Sequence, residues 1–184
     1  GPRVSVLIPA HGAEATLHHA LDSLLAQTWA DLEIVVADDC SPDGTFALAQ
    51  GYAARDPRVK AVRMRENGGA YAARMLALSH ATGDFITVHD SDDWSHPQKI
   101  AVQAAHLRDN PAVPATVTSW VRCHPDLLFR GTARPTSNMV QRNHSALMLR
   151  RGMLEALGGW DRVRIAADTE LIRRLEHAWG PGAV

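Results

Sequence analysis

Along the first hundred residues, apolar and polar positions switch repeatedly between a strand period and a helix period. Val4-Ser5-Val6-Leu7-Ile8 is a short apolar run, halted by Pro9, that reads as a buried strand. Leu17, Leu21, Leu24, Leu25 and Thr28 then recur at helical spacing. Glu33-Ile34-Val35-Val36-Ala37 is a second strand, and Cys40-Ser41-Pro42-Asp43-Gly44 is dense in turn formers. Thr45 is placed to cap a helix carrying Leu48, Ala49 and Tyr52. Val59 to Met64 is a third strand. Asn67-Gly68-Gly69 enters a helix with Ala73, Leu76, Ala77 and His80, and Gly83 stands at its capping position. Phe85-Ile86-Thr87-Val88 is a fourth strand, after which Pro97 opens a helix with Ile100, Ala104 and Leu107.

Repeated strand-helix alternation predicts a parallel sheet covered by helices on both faces. Right-handed crossovers then put every strand's carboxyl end on one edge. The second half is less regular. Ala115 to Cys123 alternates as a strand, and His124 to Asn143 shows little periodicity, which in a compact domain marks a functional or mobile loop. Ser145 to Leu149 is a short strand and Arg151 to Leu157 a helical turn. Gly158-Gly159-Trp160-Asp161 is a turn. Asp168 to Trp179 is a helix with Leu171, Ile172, Leu175 and Ala178 on one face. The expected fold is a single α/β domain with a Rossmann-like, mostly parallel central sheet flanked by helices on both faces.

Composition narrows the function classes. At 184 residues, with 46% hydrophobic and 21% charged positions, the chain is an ordinary globular domain. Its net charge of −1 and scattered basic residues give no nucleic-acid footprint. No apolar run approaches the ~20 residues that span a bilayer. The cysteines Cys40 and Cys123 fit neither a metal-ligand spacing nor a disulfide framework, which points to a reducing compartment.

The chemistry sits at two strand ends. Asp38-Asp39 closes the second strand, and Asp90-Ser91-Asp92-Asp93 closes the fourth. The topology brings them to one edge, where ligands of open α/β sheets bind. Crowded carboxylates repel, so some cation must offset them. A hard divalent ion holding a phosphate-bearing substrate is the direct reading, because such ions take one or two carboxylates plus phosphate oxygens. A plain acidic turn capping the next helix is the bland one. Trp94 and Trp160 are expected to pack.

At Asp90-Ser91-Asp92-Asp93 the chain resembles the family 2 glycosyltransferases, inverting enzymes of the GT-A fold. The resemblance runs nearly the whole length. It is carried by Val6-Leu7-Ile8-Pro9-Ala10, by Gln27 to Asp39, by Ser41 to Thr45, by Asn67-Gly68-Gly69 with Ala73-Arg74, by Gly83 to Ile86 leading into an Asp-x-Asp motif, and by Gly158-Gly159-Trp160-Asp161 followed by Asp168. It implies that Pro9, Ala10, His11 and Glu14 border the nucleotide base, with Asp39 bonded to the base and Asp38 supporting it. Asn67, Gly68 and Arg74 would face the nucleotide. Asp90 would contact the ribose, Ser91, Asp93 and His144 would lie beside the donor, and Asp92 would ligate Mn²⁺ or Mg²⁺. Asp168 would be the general base, kept ionised by a helix N-terminus. His11 either stacks on the base or is an exposed loop histidine. Ala167 stands where the family often has an acidic residue, and a plain helix cap is the bland reading of Asp168.

The resemblance further implies a UDP-sugar donor and a glycan, lipid-linked or protein acceptor. It divides the domain, residues 3–184, into a nucleotide-sugar-binding half (1–110) and an acceptor-side half (111–184). Gly1-Pro2 reads as a protease scar, and the chain ends directly after a helical pattern. A catalytic module cut from a longer protein is therefore expected, cytoplasmic or peripheral to the inner face of the membrane. The alternatives are an inactive GT-A module that binds nucleotide or glycan, and a sugar nucleotidyltransferase. The latter's Gly-rich, Lys-bearing phosphate loop is missing from Pro9 to Glu14.

Overall fold

A computed structural model describes residues 1–121, 140–161 and 167–184, with the side chain of 167 outside the description. Its sheet has six strands: β1 (Val4–Ala10), β2 (Leu32–Asp38), β3 (Val59–Arg63), β4 (Phe85–Val88), β5 (Ala115–Trp120) and β6 (Gln141–Arg150). They lie in the order β3-β2-β1-β4-β6-β5. The first four are parallel, while β6 runs antiparallel to both β4 and β5. The expectation of a mostly parallel sheet in one α/β domain holds.

The strands are continuous apolar runs because both faces are covered. Val4, Val6, Ile8, Ile34 and Val36 point into one core with Leu17, Leu21 and Leu24 of α1 (Leu17–Leu25), Ala49 of α2 (Thr45–Arg55), and Ile100 and Leu107 of α4 (Lys99–Asp109). Leu7, Val35, Ala37, Ile86 and Val88 point into the other. There they meet Ala73 and Ala77 of α3 (Ala70–His80), Leu154 of α5 (Arg151–Ala156), and Leu171, Ile172 and Leu175 of α6 (Ala167–Trp179).

Several local expectations are corrected. Pro9 does not stop β1, which continues to Ala10. The backbone of Leu7 faces β4, so by alternation that of Pro9 does too. Pairing with β4 ends at Leu7↔Val88, so the amide proline lacks is not needed there. Thr45 is the first residue of α2 rather than its cap; Asp43 Oδ1 accepts from the Thr45 amide at 3.1 Å. Gly83 does not cap α3, which ends at His80 with Ala81 extended. Pro97 precedes α4, which begins at Lys99. The strand expected at Ser145 begins at Gln141, so His144 lies within β6. Cys123 and most of the His124 to Asn143 loop lie outside the described residues.

The strand order fixes where a ligand goes. From β1 the chain moves outward to β2 and β3, then returns to place β4 on the other side of β1. The reversal opens a crevice between the carboxyl ends of β1 and β4, the usual ligand position of open α/β sheets. Backbone pairing continues past the strand ends on both sides of β1: the Asp39 amide donates to the Ala10 carbonyl at 2.8 Å, and the His89 amide to the Leu7 carbonyl at 3.0 Å.

Candidate active site

On the β2 side, the carboxylates are held by the fold itself. Asp38 is fully buried, and its Oδ2 forms an ion pair with Arg63 Nε at 3.0 Å and accepts from the Ser41 amide at 3.2 Å. Asp39, also buried, spends one oxygen on each of two consecutive amides, Gly68 at 2.7 Å and Gly69 at 2.8 Å. Those amides open α3, where the helix dipole favours an anion. Gly69 has φ +84°, a left-handed conformation that presents its amide to Asp39 without a side-chain penalty. His11 is exposed, and its Nδ1 lies 2.8 Å from the Asp39 carbonyl oxygen, which puts the proton on Nδ1. Asn67 Nδ2 donates to the same carbonyl at 3.3 Å. Pro9 and Ala10 form the end of β1 beside this loop. Glu14 turns to α2, where its Oε2 accepts from the Gly44 amide at 3.0 Å.

On the β4 side, Asp90, Ser91, Asp92 and Asp93 form a tight turn closed by the Asp93 amide donating to the Asp90 carbonyl at 3.2 Å. Asp92 is exposed and makes no hydrogen bond or ion pair among the described residues. Asp90 is half-buried and faces Arg74 Nη2 at 3.5 Å. Trp94, expected to pack, is 65% exposed, whereas Trp160 is buried as expected. The turn lifts the Trp94 indole off the core to flank a shallow cleft with His19, Asp22, Ser23 and Pro97.

Arg74 joins the two halves of the chain. It is buried, and its Nη1 donates to Asp168 Oδ1 at 2.6 Å, across ninety-four positions of sequence. Asp168 is the second residue of α6, inside the first turn rather than at the cap. The expectation that a helix end alone keeps it ionised gives way to a balance. Burial pushes the Asp168 carboxyl up, the charge and hydrogen bond of Arg74 pull it down, Asp90 raises it and His144 lowers it. His144 Nδ1 lies 3.2 Å from Thr169 Oγ1, so His144 stands with the α6 carboxylate.

Sequence reasoning missed a buried polar chain beneath the acidic turn. Lys99 Nζ donates to Ser95 Oγ at 3.3 Å, Ser95 Oγ lies 2.9 Å from His89 Nε2, and His89 Nδ1 lies 2.9 Å from the Asp90 carbonyl oxygen. A carbonyl only accepts, so His89 carries its proton on Nδ1 and takes the Ser95 hydroxyl at Nε2. Burial, with the nearby Lys99 charge, holds the His89 imidazole down to about 3, so it is neutral. Burial likewise lowers the Lys99 ammonium to about 8 against the attraction of Asp93 and Asp90. Part of the repulsion that the sequence assigned to a metal is thus offset by Arg74 and Lys99. The only signals in the sequence were His89 directly before the turn and Lys99 in the first turn of α4.

Among the described residues no group of three or more His, Cys, Asp or Glu could hold a metal by itself. The free carboxylate of Asp92 on a pinned turn does fit a hard cation of the kind that keeps one or two protein carboxylates and completes its shell with phosphate oxygens.

A crevice at the strand reversal, an acidic turn on one rim and a partly buried carboxylate on a facing helix stand in an α/β fold similar to that of the GT-A glycosyltransferases. The sequence model of glycosyl transferase family 2 matches residues 5–157, and the chain belongs to that family. It is 39% identical over 108 residues to EpsE of Bacillus subtilis (strain 168), named as a glycosyltransferase, covering 58% of this chain and 39% of EpsE. The fold superposes on Staphylococcus aureus TarS residues 1–349 with a TM-score of 0.70 at 22% identity, covering 90% of this chain and 52% of that one. TarS has been solved with UDP and with UDP-GlcNAc. The mannosyltransferase PcManGT of Pyrobaculum calidifontis, solved with GDP-Man and Mn²⁺, matches with a TM-score of 0.67 at 25% identity, covering 88% of this chain and 48% of that one. The chain thus spans about half or less of each of these relatives. No helix among the described residues is long and apolar enough to cross a membrane.

Proposed function

We propose that this domain transfers a hexosyl or N-acetylhexosaminyl group, with inversion, from a UDP-sugar to a hydroxyl of a glycan, lipid-linked or protein acceptor. The observation that carries the reading is the bridge Asp168–Arg74–Asp90 through the buried Arg74 guanidinium, which draws a carboxylate of α6 onto the donor turn at the end of β4. Inversion requires attack from the face opposite the leaving group, with a base within hydrogen-bond reach of the attacking hydroxyl. Asp168 takes that proton. The nucleotide lies along the β1–β2 edge, where Pro9, Ala10, His11, Asn67 and Gly68 form its wall. Asp39 shapes the loop that carries Gly68, Asp38 pins its start, and Glu14 holds the adjoining α2 end. Asp90 meets the ribose, with Ser91 and Asp93 beside the donor. Asp92 holds Mn²⁺ or Mg²⁺, which when bound supplies an electrophile for the charge developing on the departing diphosphate. The donor nucleotides of TarS and PcManGT support a nucleotide-sugar donor.

Calorimetric titration of UDP with and without Mn²⁺, repeated on Asp92→Ala, tests this. Binding that needs Mn²⁺ and vanishes in the variant is expected. Tight binding indifferent to both would remove the metal assignment. No binding of any nucleotide would leave an inactive module.

A further inference from the structure

The family resemblance placed Arg74 against the nucleotide, but its surroundings describe a different job. Arg74 is 4% exposed, sits one turn into α3, and its guanidinium lies 5.2 Å from the Tyr71 ring centre, which fixes its plane. One edge of that plane reaches Asp168 at 2.6 Å and Asp90 at 3.5 Å, while Nε has no hydrogen-bond partner among the described residues. A planar fork spanning two carboxylates is something arginine does and lysine cannot.

We propose that Arg74 is a positioning residue for the acceptor step, locking the Asp168 carboxylate of α6 to the donor turn at the end of β4 through one buried guanidinium. The proposal rests on the reading of Asp168 as the base. It explains how α6, whose preceding segment lies far along the chain from the donor loops, is registered against them. A base that must face both a hydroxyl and the donor carbon loses rate steeply when misplaced. Among the described residues, the charged and titratable groups facing Asp168 are Arg74 from α3, Asp90 from the end of β4 and His144 from β6. Of these Arg74 alone makes a direct ion pair with it.

The test needs no acceptor. In protein ¹³C-labelled at aspartate, the Asp168 carboxyl is assigned by its loss in Asp168→Asn and titrated in wild type, Arg74→Gln and Arg74→Lys. Arg74→Gln is expected to raise its midpoint by about one unit or more, with Arg74→Lys in between. UDP affinity with Mn²⁺ should stay within threefold, while hydrolysis of a saturating UDP-sugar by water falls at least tenfold with little change in KM. An unmoved midpoint overturns the proposal, as does a loss of UDP affinity that accounts for the whole loss of rate. If Arg74→Gln does not fold, Arg74→Lys decides by the same midpoint. A wild-type protein that binds no nucleotide defeats the proposed function instead, and the carboxyl titration still reports on the lock.

Discussion

Asp39 is bonded through both of its oxygens to the consecutive amides of Gly68 and Gly69, 2.7 and 2.8 Å away, at the entrance of α3. One side chain at the end of β2 therefore sets both the loop that walls the nucleotide site and the start of the helix that carries Arg74. Charge-assisted bonds of this kind contribute about 1.5–3 kcal/mol each when little exposed. Asp39→Ala removes both bonds and should lower the unfolding free energy by about 3 kcal/mol or more, read by urea denaturation. It should also weaken UDP binding at least tenfold in calorimetry. Asp39→Asn keeps one acceptor and should fall between the two. Equal UDP affinity in all three proteins would separate the loop from the site.

Gly83 is required by contact rather than by dihedral angle. A Cβ there would lie 2.7 Å from the Ser5 amide nitrogen and 2.8 Å from the Arg3 carbonyl oxygen, both backbone atoms at the start of the chain where it enters β1. Neither can move without disturbing β1 at the centre of the sheet. Gly83→Ala should cost about 2 kcal/mol, a fall of roughly 4–8 °C in melting temperature for a domain of this size. A melting temperature unchanged by the substitution would show that the approach is looser than this geometry.

The legibility of the sequence follows from what each signal depends on. β1 to β4 are readable because a strand buried on both faces is apolar at every position, and α1 because its leucines recur on one face. The start of β6 was hidden. Gln141-Arg142-Asn143-His144 is polar and half-exposed, so neither period marks it, and only pairing with β5 makes it a strand. The carboxylates of the site were visible as clusters at strand ends. The Arg74–Asp168 pair and the His89–Ser95–Lys99 chain were not, because each member is a single polar residue and the grouping exists only after folding. Gly83 was misread because a glycine near a helix end resembles a cap whether or not a close approach needs it.

Lys99 places a half-buried positive charge beneath the acidic turn, attracted by Asp93 and Asp90. That charge opposes any divalent cation arriving at Asp92. Lys99→Met should therefore tighten the apparent affinity for Mn²⁺ severalfold in the presence of UDP, measured by the signal of free Mn²⁺ in electron paramagnetic resonance. It should also destabilise the metal-free protein by about 1 kcal/mol through the lost bond to Ser95. Weaker Mn²⁺ binding in the variant would mean that Lys99 instead helps to hold the diphosphate.

At the opposite edge of the sheet, Glu33 is a buried carboxylate with a structural task. Its Oε1 accepts from Ser5 Oγ at 2.6 Å, Thr82 Oγ1 at 3.0 Å, the Gly83 amide at 3.1 Å and the Thr82 amide, while Oε2 pairs with Lys60 Nζ at 2.8 Å. Burial alone would raise this carboxyl. The hydrogen bonds from Lys60, Ser5 and Thr82 overcome it and hold the group at about 2, against 4.5 unperturbed. The folded pKa is depressed, so the unfolded chain binds the proton more readily. The stabilisation is therefore complete above pH 4.5 and disappears as the pH falls towards 2. A shift of this size corresponds to about 3 kcal/mol. Glu33→Gln keeps the shape but turns an amide donor towards the Lys60 ammonium and removes the charge. Its melting temperature should lie roughly 6–12 °C below wild type at pH 7. The gap should close steadily below pH 4.5, because the unfolded wild-type chain then takes up a proton that folded Glu33, held at about 2, does not, and the advantage of the ionised native group is lost. Melts at pH 7, 4 and 2.5 decide it, and a gap independent of pH would assign the loss to packing instead of to the charge.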